Sequence, residues 1–308
     1  MRDLPGITRP QQTTSQAPAA EAQSNDTPTL RRPLRALYFG MASSFSRPPL
    51  AALLQSGVDV RAIVIPGLPG ASLYGDREAP AQANDPQPYT LLPMGQGMGG
   101  LAASRRKLVA LPLLTTPTTT TGTIIESAAR HGIPVYEITR LDDPRTLALL
   151  ASFAPDVICV ACFSRRVPLA VLRLPHLSCL NVHPSLLPDN RGPDPLFWTF
   201  QRGEAITGVT IHQMDEGFDS GAIVLQQAVN IPVGMTEESL ETQLATLGGE
   251  LLVQAVSGLA TGALHPIPQD RARATVYPWP NNDDYVIDLR QGAWSANRAY
   301  RFACGVGG

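Results

Sequence analysis

From residue 34 onward the apolar positions fall into short runs separated by amphipathic stretches. "LRALYFGM" (34–41) and "VDVRAIVIPG" (58–67) are nearly continuous apolar runs, the pattern of strands buried on both faces. Between them, residues 48–55 repeat at helical spacing and stop at Gly57. The same alternation returns at "TIIESAARHGIPVYEIT", read as a helix ended by His131-Gly132 and then a strand. A helix over 144–153, a strand at "DVICVACF", a short helix at "VPLAVLRLP" and a strand at "SCLNVHPSLLP" follow. The pattern continues with a helix near 195–202, strands at "TGVTIHQMD" and "AIVLQQAVNI", and a long helix over 236–259. Strand and helix in turn predict an α/β fold: an open, mostly parallel sheet with helices on both faces.

Three stretches break the pattern. Residues 1–33, rich in Pro, Gln, Ser, Thr and Ala, read as a disordered lead-in. Residues 67–122 carry Pro, Gly, Gln and a "TTPTTTT" tract and read as a long insertion into the domain at 34–262. This insertion holds "GQGMGG" (95–100), which fits G-x-G-x-x-G. A dinucleotide site would need a strand directly before it and a helix directly after, so a flexible glycine loop is the plainer reading. Residues 263–308 read as a linker followed by about one strand and one helix, the start of a C-terminal domain or a docked extension.

Composition narrows the classes. A chain of 308 residues with formal net charge −2 can bury a real core but has no global field favouring nucleic acid or anionic membrane. The N-terminus lacks the apolar segment of a signal peptide, and no run of 18 apolar residues follows, so a soluble, cytoplasmic protein is expected. Cys159 and Cys162 form C-x-x-C inside an apolar run with no second pair, which reads as core rather than redox motif or metal site. No H-x-x-x-H or Cys/His cluster offers a metal site, and no G-x-S-x-G offers a hydrolase serine.

Five histidines can each be weighed. His131 suits a helix C-terminus, and His176 and His265 sit beside prolines in connections. His183 is different. Asn181 and His183 are two apart on one strand, share a face, and stand just before the strand breaks at Pro184 and Pro188. Open α/β sheets bind ligands at the carboxyl ends of their strands. There His183 suits a general acid/base and Asn181 an amide donor to a developing oxyanion, although a hydrogen-bonded strand-end pair fits equally well. A partner carboxylate is available in the loop "DEGFDSG", which supplies Asp215, Glu216 and Asp219.

Together, "NVHPSLLPDNRGPDPLFW" and "TGVTIHQMDEGFDSGAIVLQ" resemble the 10-formyltetrahydrofolate-dependent formyltransferases, within the methionyl-tRNA and sugar N-formyltransferase branch. The resemblance implies a Rossmann-like fold and catalytic roles for Asn181, His183 and Asp219, the acid two residues before Gly221. It implies 10-formyltetrahydrofolate as co-substrate, without a metal. Folate contacts would come from Phe163, Ser164, Arg165, Arg166 and Val167, from the turn Ser185, Leu186, Leu187 and Pro188, and from Asp215. The acceptor would meet Arg191, Gly192 and Trp198, and His212 matches a family position that can be structural. The implied acceptor is a primary amine, with initiator methionyl-tRNA first and an amino sugar nucleotide as the rival. A non-catalytic folate-binding homologue is a further alternative. Two departures stand out: Arg165-Arg166 replaces smaller apolar residues, and Asp189-Asn190 stands where a basic residue and an aromatic are usual.

Overall fold

A computed structural model describes residues 32–67, 87–92, 123–289 and 294–307. These lie within one compact unit, Arg32–Gly308. The readings of residues 1–31 and of "GQGMGG" fall outside the described residues.

The chain forms β1 (Arg35–Gly40), α1 (Arg47–Gln55), β2 (Asp59–Pro66), β3 (Tyr89–Leu91), α2 (Ile124–His131), β4 (Val135–Ile138), α3 (Pro144–Ser152), β5 (Val157–Ala161) and α4 (Leu169–Leu172). Then come β6 (Ser178–His183), α5 (Pro195–Arg202), β7 (Ile206–Gln213), β8 (Ile223–Asn230), α6 (Glu237–Thr261) and α7 (Ala296–Val306). The eight strands form one sheet in the order β3-β4-β2-β1-β5-β6-β7-β8. Strands β4, β2, β1, β5 and β6 run parallel. Strand β7 turns back against β6, and β8 against β7.

Alternate residues of the central strands enter two separate cores, one on each face. Ala36 and Tyr38 of β1 join the core beneath α1, α2, α5 and α6, whereas Leu37 and Phe39 join the core beneath α3 and α4. Local signals agree with the tertiary result. Thr123 and Glu126 form a capping box on α2, and Gly132 closes that helix in the left-handed region at φ 65°.

Helix α6 is apolar enough by composition to cross a bilayer, with mean hydropathy 1.2. Its stripe of Leu240, Leu244, Gly248, Leu252, Ala255 and Val256 is buried on the sheet. A Cβ at Gly248 would stand 2.6 Å from Val182 Cγ1, so only glycine lets α6 lie this close to β6.

Three expectations change. Residues 87–92 do not continue the structureless insertion: Tyr89–Leu91 adds an antiparallel edge strand beside β4. Cys162 is not a core residue. It stands exposed just past the end of β5 with φ 54°, while Cys159 is buried and its thiol is pushed up to about 12 by burial. The predicted linker is firmly attached: Ile267 bridges to Ile223 on β8, and Val276 bridges to Arg191. Beyond it α7 docks, with Phe302 buried in the core and Gly305 against the Phe200 ring.

Candidate functional site

Parallel registry places the carboxyl ends of β1, β5 and β6 side by side, with Gly40 opposite Ala161 and Ala161 opposite Val182. Asn181 and His183 emerge at this edge on β6. The antiparallel partner β7 sets His212 directly across from Asn181. Asp219, in the β7–β8 loop at φ 49°, reaches back over both strands.

Four side chains thereby converge. Asp219 Oδ1 lies 3.7 Å from His183 Nδ1 and 3.6 Å from His212 Nε2. The Asn181 amide nitrogen is 3.2 Å from His212 Nε2, and His212 Nδ1 is 2.8 Å from the Gln213 carbonyl oxygen. The carbonyl can only accept, so Nδ1 carries a proton, and in the neutral ring Nε2 accepts one Asn181 N–H. The second Asn181 N–H is left for another acceptor.

The charge states follow from the surroundings. Burial opposes ionisation of Asp219. It is outweighed by His183, His212 and the Gly192 N–H at 3.0 Å, so the carboxyl titrates well below the usual carboxylate range. His183 is 4 % exposed. Burial lowers its pKa, against the pull of Asp219, and keeps the ring neutral at neutral pH. The site thus holds an anion beside a neutral imidazole and an oriented amide.

The loop bearing Asp219 is propped from outside. Gln269 Nε2 donates to the carbonyls of Asp219 and Gly221 at 2.8 and 2.7 Å, and Gln269 Oε1 accepts from Arg191 Nε and Nη2 at 3.1 and 2.7 Å. The turn Ser185–Pro188 is held by Thr210, whose hydroxyl donates to the Ser185 carbonyl at 2.7 Å and accepts from the Leu187 N–H at 3.1 Å.

Other residues expected at the site take different places. The Arg191 side chain is buried on Gln269 and braces the Asp219 loop through Nε and Nη2. Trp198 is 8 % exposed, stacked on Tyr277 with ring centroids 4.8 Å apart, and donates its Nε1–H to the Pro278 carbonyl. Asp215 accepts from Gly217 N and Ser220 Oγ in its own exposed turn, away from His183. Arg165 turns back on the carbonyls of Thr139 and Gly67, and Phe163 packs on Phe39. Val167 is buried, whereas Ser164 and Arg166 are exposed, the latter donating to the Glu216 carbonyl. Gly192 acts on Asp219 through its backbone. Gln269, Thr210 and the Asn190 carbonyl carried no sequence signal, and His212 carried only its match to the family pattern.

The pattern described as Formyl transferase matches residues 102–256. A methionyl-tRNA formyltransferase of Acidobacterium capsulatum is 33 % identical over 258 residues, covering 83 % of this chain and 70 % of the relative. This chain belongs to the formyl transferase family. A methionyl-tRNA formyltransferase of a Synechococcus species is 46 % identical over 177 residues, covering 56 % of this chain and 54 % of the relative. The match thus spans about half the length of that protein. Among solved structures, a sugar N-formyltransferase from a Shewanella species superposes with TM-score 0.53 at 14 % identity, covering 88 % of this chain and 87 % of that one. That likeness confirms the formyltransferase fold and its Rossmann-like sheet.

Proposed function

We propose that this protein transfers a formyl group from 10-formyltetrahydrofolate to a primary amine, and that the amine is that of methionyl-tRNA. The observation that carries the reading is the convergence of Asn181, His183 and Asp219 at the carboxyl edge of the sheet. The naming of the curated relatives favours the tRNA acceptor.

The roles follow from the geometry. The amine lone pair bonds to the formyl carbon, and the carbonyl electrons move onto oxygen. The free N–H of Asn181 receives that oxyanion. Neutral His183 takes the proton released by the attacking nitrogen, and Asp219 stabilises the resulting imidazolium. His183 then returns the proton to the departing nitrogen as its bond to the formyl carbon breaks. Folate supplies the activated formyl carbon and carries carboxylates at its tail. A cleft of about 340 Å³ beside the expected folate loop is lined by Arg140, Arg165 and Arg166 together with Thr139 and Asp142, a net positive lining that suits that tail.

The test is tetrahydrofolate release from 10-formyltetrahydrofolate with methionyl-tRNA, amino sugar nucleotides or glycinamide-type amines. Methionyl-tRNA should be the best acceptor, with binding that weakens as salt rises. His183→Ala should cut the rate about a hundredfold or more. Full activity in that variant would sink the mechanism. A preference for amino sugar nucleotides would replace the acceptor, and folate binding without turnover would favour a binding protein.

A further inference from the structure

Asn190 stands directly before Arg191, in the segment that follows β6. It is buried, 3 % exposed, and adopts the left-handed conformation with φ 55°. Three contacts fix it there. Its N–H donates to Thr275 Oγ1 at 2.8 Å, and its Nδ2 donates to Thr199 Oγ1 at 3.3 Å and to Glu204 Oε2 at 3.2 Å. The next residue is fixed as well, since Arg191 N–H donates to the Thr275 carbonyl at 3.0 Å. Held this way, the Asn190 carbonyl oxygen stands 2.9 Å from His183 Nε2.

A carbonyl oxygen accepts and never donates, so the contact requires the proton on Nε2. In the neutral ring the bare nitrogen is then Nδ1, the one that faces Asp219 at 3.7 Å. We propose that Asn190 is a positioning residue for His183: its left-handed backbone aims a carbonyl that locks the Nε2–H tautomer and assigns proton uptake to Nδ1, on the Asp219 side. This rests on the acid/base role given to His183 in the proposed function. The charged and titratable groups facing the ring are Asp219 from the β7–β8 loop, His212 from β7 and Arg191 from the segment after β6. Asn190 itself carries no charge, so it acts by geometry and by stabilising the Nε2–H bond in the imidazolium. Asparagine fits because its short amide side chain tolerates the left-handed region better than most residues and can be anchored there.

Long-range proton–nitrogen NMR of the imidazole rings tests this without folate or acceptor. His183 should show the Nε2–H neutral form, and a wild-type Nδ1–H ring would overturn the proposal outright. Asn190→Gly keeps access to the left-handed backbone but removes the two Nδ2 anchors, and should shift the tautomer and the pH limb assigned to His183 less than Asn190→Val does. Asn190→Val disfavours that backbone. It should mix the tautomers, move the limb in kcat/KM to lower pH by about half a unit or more, and reduce kcat about tenfold with little change in KM. Thr275→Val removes only the N–H anchor and should produce a smaller change in the same direction, so it serves if Asn190→Val does not fold. Unchanged tautomer and pH limb in a folded Asn190→Val or Thr275→Val protein would refute the assignment. The expected NMR result in a protein that formylates no amine would leave the tautomer lock standing and remove the proposed function instead.

Discussion

Two half-buried carboxyl groups near the carboxyl edge of the sheet have opposite fates. Asp219 gains favourable electrostatics from His183 and His212 and a hydrogen bond from the Gly192 N–H. Glu237, in the first turn of α6, is surrounded by burial and by like charge from Asp194 and Glu241, and its pKa is pushed up to about 7. Both lose water on folding. Only the first gains groups that stabilise the anion. Burial alone therefore does not mark a functional carboxylate; the sign of what replaces the water does.

The comparison can be broken from the Asp219 side first. Asp219→Asn keeps the shape and removes the charge, and steady-state tetrahydrofolate release should fall by about two to three orders of magnitude. Gly192→Ala should follow. Its Cβ would sit 2.1 Å from the Tyr277 carbonyl oxygen at a φ of 125°. Thermal unfolding should show a loss of roughly 2–4 kcal/mol, and activity should fall because the N–H that holds Asp219 moves away. Gln269→Leu leaves the Arg191 guanidinium and two loop carbonyls without their partner. It should cost roughly 1–3 kcal/mol in denaturant titration, with a drop in kcat of about tenfold.

The smallest effect sharpens the other side. A carboxyl whose folded pKa is raised costs stability as pH climbs from its unfolded value, near 4.5, through about 7. Glu237→Gln should therefore raise the melting temperature by a few degrees at pH 8.5 and leave it unchanged at pH 4, where both side chains are neutral. Asp219 has the opposite sign. Its depressed pKa contributes stability above the ordinary carboxylate range, and that contribution is lost as pH falls through the folded pKa. Asp219→Asn should thus narrow the stability gap between neutral and strongly acid pH. Equal pH dependence in the two variants would erase the distinction.

Much of this architecture was legible in the chain. Strands buried on both faces leave continuous apolar runs, so β1, β2, β5 and the α/β alternation were readable, and the pairing of Asn181 with His183 follows from the period of a strand. Strand β3 was hidden because three residues carry no periodicity. The packing partners of Arg191 and Trp198 were hidden for another reason. A polar fork and an aromatic next to a strand end look like ligand contacts. Their partners, Gln269, Tyr277 and the Pro278 carbonyl, lie some eighty residues downstream, where no local pattern connects them. Asp219 could be separated from Asp215 only by the family motif; in the structure Asp215 accepts from Ser220 Oγ in its own turn, and Asp219 lies beside His183.

The attachments of residues 267–277 have a consequence for synthesis. Asn181 and His183 are set by strands complete once β7 has been made. The loop carrying Asp219 and the carbonyl of Asn190 also depend on Gln269, Thr275 and Tyr277. A nascent chain that has released β8 and α6 but not these residues would hold a folded sheet with an incompletely braced centre. Competence thus arrives late on the ribosome, as a final lacing step rather than as a by-product of core formation.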